Sequence, residues 1–166
     1  MRANGGRSFV IADARGMRYY RVPHRTRMAR ILCIDDNRHG CQARQFLLEE
    51  HGHEVSVAYS GRDGLEAFDG GKFDLVLVDY YMPGMNGGEV IKRIREQNAR
   101  VPIILLSGYT ERFALEEKVP QADAALQKGA REVKELLETV DRLLNRRLKR
   151  PAGRARARRS RSSRAR

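Results

Sequence analysis

Five polar residues close apolar runs in this 166-residue chain: Asp35 and Asp36 after ILCI, Asp79 after LVLV, Ser107 after PIILL and Lys128 after AALQ. Three carboxylates brought together repel one another and call for a shared positive charge. A hard divalent cation answers that need, and Mg2+ takes oxygen ligands while keeping several waters. Lys128 supplies a second, fixed positive charge. A hydroxyl, a lysine and Mg2+ around one carboxylate make a cradle for a transferred phosphoryl group. Asp79 is then the nucleophile, and its product is an acyl phosphate. Taken singly, each residue also has an ordinary role. An Asp after a strand caps a helix or closes a turn, Ser107 is a loop hydroxyl, and Lys128 is a solvated lysine. The set gains its meaning only if the chain brings these ends together.

The surrounding pattern predicts that it does. ARILCI (29–34), HEVSVAY (53–59), FDLVLVD (73–79), VPIILLS (101–107) and ADAALQK (122–128) read as strands, the last weakened by its alanines. Between them lie stretches of helical spacing. GCQARQFLLEEHG (40–52) places Ala43, Phe46 and Leu47 on one face, with Gly52 as the terminator. Ser60 and Asp63 cap a short helix through Phe68. GGEVIKRIREQ (87–97) is striped by Val90, Ile91 and Ile94, and Thr110 to Lys118 reads as a further short helix. AREVKELLETVDRLLNRRL (130–148) carries the stripe Val133, Leu136, Leu137, Val140, Leu143 and Leu144. Strands and helices alternate five times, the signature of an α/β sheet with helices on both faces. The near-continuous apolar strands fit a parallel sheet. In such sheets the chemistry sits beyond the carboxyl ends of the strands, where the five polar residues fall.

Charge divides the chain into three. The net charge is +12, yet residues 28–145 hold fifteen Lys/Arg against twenty Asp/Glu. Residues 1–27 hold seven Arg against one Asp, and 146–166 hold eleven Lys/Arg with no acid. The basic balance therefore belongs to two tails around a mildly acidic body. The expected organisation is a flexible basic extension (1–27), a domain (28–147) and an Arg-rich disordered tail (148–166). Within the extension, FVIADARGMRYYRV (9–22) suits a hairpin about DARG. Met28 begins a compact domain by itself, which leaves open a start at that position. Cys33 and Cys41 are too few for a disulfide framework, and neither has a His or second Cys at ligand spacing. No apolar run is long enough to span a membrane, and the N-terminus lacks a secretory h-region, so a cytoplasmic protein is expected.

The elements ILCIDDN, LVLVDYYMPGMNGGE, IILLSGY and LQK, spread over residues 28–147, resemble the receiver domain of two-component response regulators, of the single-domain, chemotaxis-regulator kind. The D-x-x-M-P-x-M-x-G string from Asp79 to Gly87 is the most specific of them. The resemblance implies a flavodoxin-like doubly wound (βα)5 fold with a five-stranded parallel sheet in order 2-1-3-4-5. It implies Mg2+ bound by Asp36 and Asp79, with Asp35 nearby and the backbone carbonyl of Tyr81 completing the protein ligands. It implies phosphoryl transfer to Asp79 from a sensor histidine kinase or phosphotransfer protein, with Ser107 and Lys128 contacting the phosphoryl oxygens. The module is then a switch rather than an enzyme, and its limited catalysis acts on itself. It signals by docking on a partner protein or passing phosphate onward, since no output domain fits in the tail.

Two positions depart from the family. Ala125 stands where many receivers carry the aromatic of the output relay, and Gly129 replaces the usual Pro after the lysine. Chemistry at Asp79 needs neither residue; the relay needs the first. Tyr109 is a stand-in for part of that relay or simply a loop aromatic; bulky Tyr81 and Tyr109 are expected to shield an acyl phosphate from water, the alternative being that Tyr81 merely packs on the loop. A second function class remains open: the Arg block of the tail can hold nucleic acid by charge alone, although it has no aromatic residue for base stacking.

Overall fold

The structure is a computed structural model that describes residues 9–13, 16–20, 28–108 and 119–149. The expected helix over 110–118, Tyr109 and the tail beyond 149 lie outside the described residues. Five strands, β3 (Arg30–Ile34), β4 (Glu54–Ala58), β5 (Leu75–Asp79), β6 (Ile103–Ser107) and β7 (Ala124–Gln127), form one sheet in the order β4-β3-β5-β6-β7. All four pairings are parallel. Counted from β3, this is the order 2-1-3-4-5. The helices described are α1 (Arg38–Glu50), α2 (Gly61–Gly70), α3 (Gly87–Gln97) and α4 (Glu132–Lys149). Upstream, β1 (Phe9–Asp13) and β2 (Gly16–Tyr20) pair antiparallel with Phe9 opposite Tyr20, the hairpin expected about the DARG turn.

Strand residues alternate between two apolar layers. Leu32, Ile34, Val76, Val78, Ile103 and Leu105 pack with Phe68 of α2 and Val90, Ile91 and Ile94 of α3. Ile31, Cys33, Leu75, Leu77, Ile104 and Leu106 pack with Cys41 and Leu48 of α1 and Leu136 and Val140 of α4. Burial on both faces is why β5 and β6 are apolar at every position instead of alternating. By the same alternation Asp35 and Asp79 continue the rows of Cys33 and Leu77, so both belong to the face covered by α1 and α4.

The helices begin where side chains satisfy their first N–H groups. Asn37 caps α1 by accepting from the Gly40 N–H, and Ser60 caps α2 by accepting from the Asp63 N–H. Asn86 and Glu89 form a reciprocal capping box on α3. Gly52, at φ +85°, ends α1 as expected, its N–H donating to the Glu49 carbonyl. Two helix faces differ from expectation. In α1 the buried residues are Cys41, Arg44 and Leu48, whereas Ala43 is exposed and Phe46 is 69% exposed. Apolar counting fails because an arginine takes the inward position, drawn there by buried carboxylates. In α4 the inward line runs Glu132, Leu136, Val140, Leu143, which turns Val133 out to 46% exposure.

Candidate phosphoryl-acceptor site

Parallel register lines up the strand ends. Ile34 stands beside Val78, Asp79 beside Leu106 and Ser107 beside Gln127. The residues that follow β3 and β7 therefore meet the last residues of β5 and β6 along one edge. Oxygens of Asp35, Asp36 and Asp79 gather within 4.8 Å of one another. Asp35 and Asp79 are buried and Asp36 is exposed, so the cluster has one wet side. Asp36 is not the cap of α1, since Asn37 takes that position.

Lys128 enters from the end of β7, its backbone N–H donating to the Ser107 carbonyl at 2.7 Å. Its Nζ lies 2.9 Å from Asp35 Oδ2 and 2.9 Å from Asp79 Oδ2. Burial lowers the Lys128 ammonium, but its hydrogen bonds to Asp35 and Asp79 outweigh that, so the net shift is upward and the charge is fixed at neutral pH. Ser107 is fully buried at the end of β6. The loop from Asp79 to α3 is closed by the Gly87 N–H on the Tyr80 carbonyl, with Gly84 at φ +79° making its turn. Tyr81 projects from this loop, 51% exposed, with its ring edge-on to Tyr80.

Sequence reasoning missed Arg44, its partner Glu132 and the Cys33–Cys41 contact. Arg44 Nη1 lies 2.8 Å from Asp35 Oδ2, and its Nε donates to Glu132 at the start of α4. Burial lowers the Arg44 guanidinium, and the hydrogen bond and charge of Glu132 lead the opposing effects, for a net rise. One signal was present: Arg44 stands three residues after Cys41 and four before Leu48, in the apolar line of α1. Cys33 and Cys41 also come together, with their Sγ atoms 3.4 Å apart and both thiols free. A strand followed by one helical turn makes that contact, which linear spacing does not reveal.

The family model described as the response regulator receiver domain matches residues 31–141. The chain belongs to the response-regulator receiver family. The transcriptional regulatory protein DltR of Streptococcus agalactiae is 38% identical over 84 residues, covering 51% of this chain and 38% of DltR. The transcriptional regulatory protein TcrA of Mycobacterium tuberculosis is 34% identical over 117 residues, 68% of this chain and 45% of TcrA. The chain thus spans less than half the length of these relatives. Among solved structures, the response regulator TrrA of Thermotoga maritima, in complex with Mg(2+)-BeF, superposes with a TM-score of 0.64 at 36% identity, covering 70% of this chain and 99% of TrrA. A CheY-like receiver domain protein of Methanospirillum hungatei superposes at 0.67 with 27% identity, covering 74% and 98%. A receiver domain of a two-component response regulator is a phosphoryl-accepting signalling module, and its acidic pocket fits the oxygen donors gathered here. No described helix is long and apolar enough to cross a membrane. Nucleic-acid binding through the tail gains no support from these relatives.

Crowding three carboxylates at this edge carries an electrostatic cost. Burial pushes the Asp79 carboxyl above its ordinary range; Lys128 pulls it part of the way back, and the charges of Asp35 and Asp36 push it up again. A raised carboxyl binds its proton more tightly when folded. The contribution of this one carboxyl to metal-free stability is therefore most favourable below the ordinary carboxylate range and falls as pH rises from there through the raised value. Asp79→Asn is neutral throughout. It is expected to be more stable than wild type at neutral pH in chelator, by about 1 kcal/mol. The gap should close in acid, where the wild-type carboxyl is also neutral. Melting curves of the two proteins from about pH 4 to about pH 8 check both the sign and the closure.

Proposed function

We propose that Asp79 accepts a phosphoryl group from the phosphohistidine of a sensor kinase or phosphotransfer protein, and that the receiver then signals through contacts with another protein. A carboxylate oxygen of Asp79 attacks phosphorus, the P–N bond breaks, and the imidazole leaves. The observation that carries this reading is the Lys128 ammonium held 2.9 Å from Asp79 at an edge where three carboxylates converge. On this reading Asp36, Asp79 and the Tyr81 carbonyl, with Asp35 behind them, hold Mg2+, which when bound supplies positive charge to the phosphoryl oxygens. Lys128 and Ser107 take the remaining oxygens. The Mg(2+)-BeF complex of TrrA is consistent with that choice of ion. Tyr81 shields the product from water on the exposed side. Ala125 is buried against the α2/α3 layer, where its methyl group cannot serve as the aromatic relay of other receivers, so output takes another route.

Intact mass after incubation with acetyl phosphate, with and without Mg2+, tests the acceptor. One Mg2+-dependent phosphoryl adduct, absent from Asp79→Asn, is expected. An adduct that persists in Asp79→Asn, or none on wild type from acetyl phosphate, a second small donor and phosphohistidine proteins, overturns the reading.

A further inference from the structure

Acceptor chemistry uses Asp79, Lys128, Ser107 and a cation, and leaves Arg44 without a part. Yet Arg44 is only 7% exposed and spans two elements, binding Asp35 at the end of β3 and Glu132 on α4. The geometry points to Arg44 as a positioning residue that occupies part of Asp35 and sets the pocket's divalent-cation affinity lower than three carboxylates and one lysine would give, with Glu132 as its counterweight. This assignment rests on the cation site proposed above.

The hydrogen-bond inventory of Asp35 makes the first half of the case. A carboxylate offers about four lone-pair directions, two on each oxygen. Asp35 Oδ2 accepts from Arg44 Nη1 at 2.8 Å and from Lys128 Nζ at 2.9 Å, which fills it. Oδ1 accepts from the Asn37 N–H at 2.9 Å. With three of its four directions filled, Asp35 has one Oδ1 direction left to offer a cation, so the larger share falls to Asp36 and Asp79. Arg44 cannot leave easily. A guanidinium stays charged at any ordinary pH, and Glu132 holds its Nε while Asp35 holds its Nη1. The helix makes room for it: a Cβ at Gly40 would stand 3.1 Å from Arg44 Nη1.

Charge makes the second half. Three carboxylates against Lys128 leave two negative charges for a divalent cation to meet. Arg44 removes one of them, and Glu132, on its far side, returns part of that at greater distance. Outer partners of metal ligands ordinarily raise affinity when they orient a ligand or increase its basicity. A buried cation on a carboxylate at the site does the opposite, because it competes for the same negative charge.

Two substitutions then separate charge from architecture, since each breaks the same ion pair. Arg44→Met removes the positive charge and is expected to tighten Mg2+ by at least about fivefold. Glu132→Gln removes the counterweight, leaves Arg44 fully expressed on Asp35, and is expected to weaken Mg2+ by at least about threefold. Arg44→Lys keeps the charge and should bind Mg2+ within about twofold of wild type. A residue that merely braces the fold would shift Met and Gln variants in the same direction and would not be rescued by Lys. The measurement is Mg2+ titration by calorimetry on the full chain, with a melting curve for each variant. Should Arg44→Met fail to fold, Glu132→Gln and Arg44→Lys decide, and an unchanged or tighter Glu132→Gln overturns the assignment. Shifts in one direction for Met and Gln overturn it as well, while Mg2+ binding by wild type leaves the cation site standing. No Mg2+ binding by wild type removes the cation site and this assignment together.

Discussion

Lys128→Met is expected to slow phosphoryl adduct formation at Asp79 about a hundredfold, the usual effect of deleting one preorganised donor at a developing negative charge. The same substitution should cost about 2 kcal/mol of stability in chelator, below the range for a fully buried pair because the Lys128 side chain is 23% exposed. The loss has one cause. Lys128 serves Asp35 and Asp79 at once, and its removal leaves the buried Asp79 carboxylate beside two other acids with no cation paired to it among the described residues. Arg44 remains on Asp35 and limits the damage there. On the proposed reading, added Mg2+ should restore much of the stability, since it would return positive charge to the same oxygens, but little of the rate, since Lys128 would also contact the phosphoryl group. Because the Lys128 ammonium is raised, its contribution is complete below the ordinary lysine value and disappears only as pH climbs through the raised one. The variant and wild type should therefore converge in stability at strongly alkaline pH. Urea melts with and without Mg2+, beside a mass-spectrometric time course with acetyl phosphate, separate the two roles. A rate within a few-fold of wild type would leave Lys128 with charge compensation alone.

The parts of this site that are legible in the sequence are those that sit at the ends of strands. Apolar strands covered on both faces announce themselves, and the first polar residue after each must lie at the sheet edge. That is why Asp35, Asp79, Ser107 and Lys128 could be placed together, and why the β4-β3-β5-β6-β7 order agrees with the one implied by the resemblance. Helix faces are harder. The stripe of α3 is wholly apolar and was legible, but α1 turns a charged residue inward, and counting apolar residues puts Phe46 where Arg44 belongs. Arg44 and Glu132 are 88 positions apart, and no local spacing connects them. Their pairing follows from α1 and α4 covering the same face of the sheet, a fact of topology. A buried arginine is a consequence of the acidic edge: once Asp35 is placed under α1, the position above it favours a cation over a leucine.

Gly87→Ala is expected to cost about 3 kcal/mol and to disturb the acceptor more than any substitution of similar size nearby. Gly87 is the first residue of α3, and its own N–H closes the loop on the Tyr80 carbonyl. A Cβ there would stand 2.3 Å from the Asp79 carbonyl oxygen, 2.9 Å from Tyr80 Cα and 3.0 Å from the Asp79 carbonyl carbon. Each neighbour is backbone, so no side chain can turn away. Something must move, and α3 is the less able to do so, because Val90, Ile91 and Ile94 are fully buried against the sheet. The strain falls on the peptide that carries Asp79. Phosphorylation rate and Mg2+ affinity should therefore fall along with the melting temperature. Gly88→Ala is the control: its nearest neighbours are side-chain atoms, Asn86 Oδ1 at 3.1 Å, which has to give only a few tenths of an ångström within its capping bond, and Val119 at 3.5 Å. It should stay within about 1 kcal/mol of wild type and keep its acceptor activity, since Ala is also the better helix former. If Gly87→Ala instead melts and phosphorylates like Gly88→Ala, the Asp79 loop has slack, and the acceptor is held by its ion pairs rather than by the helix packed beneath it.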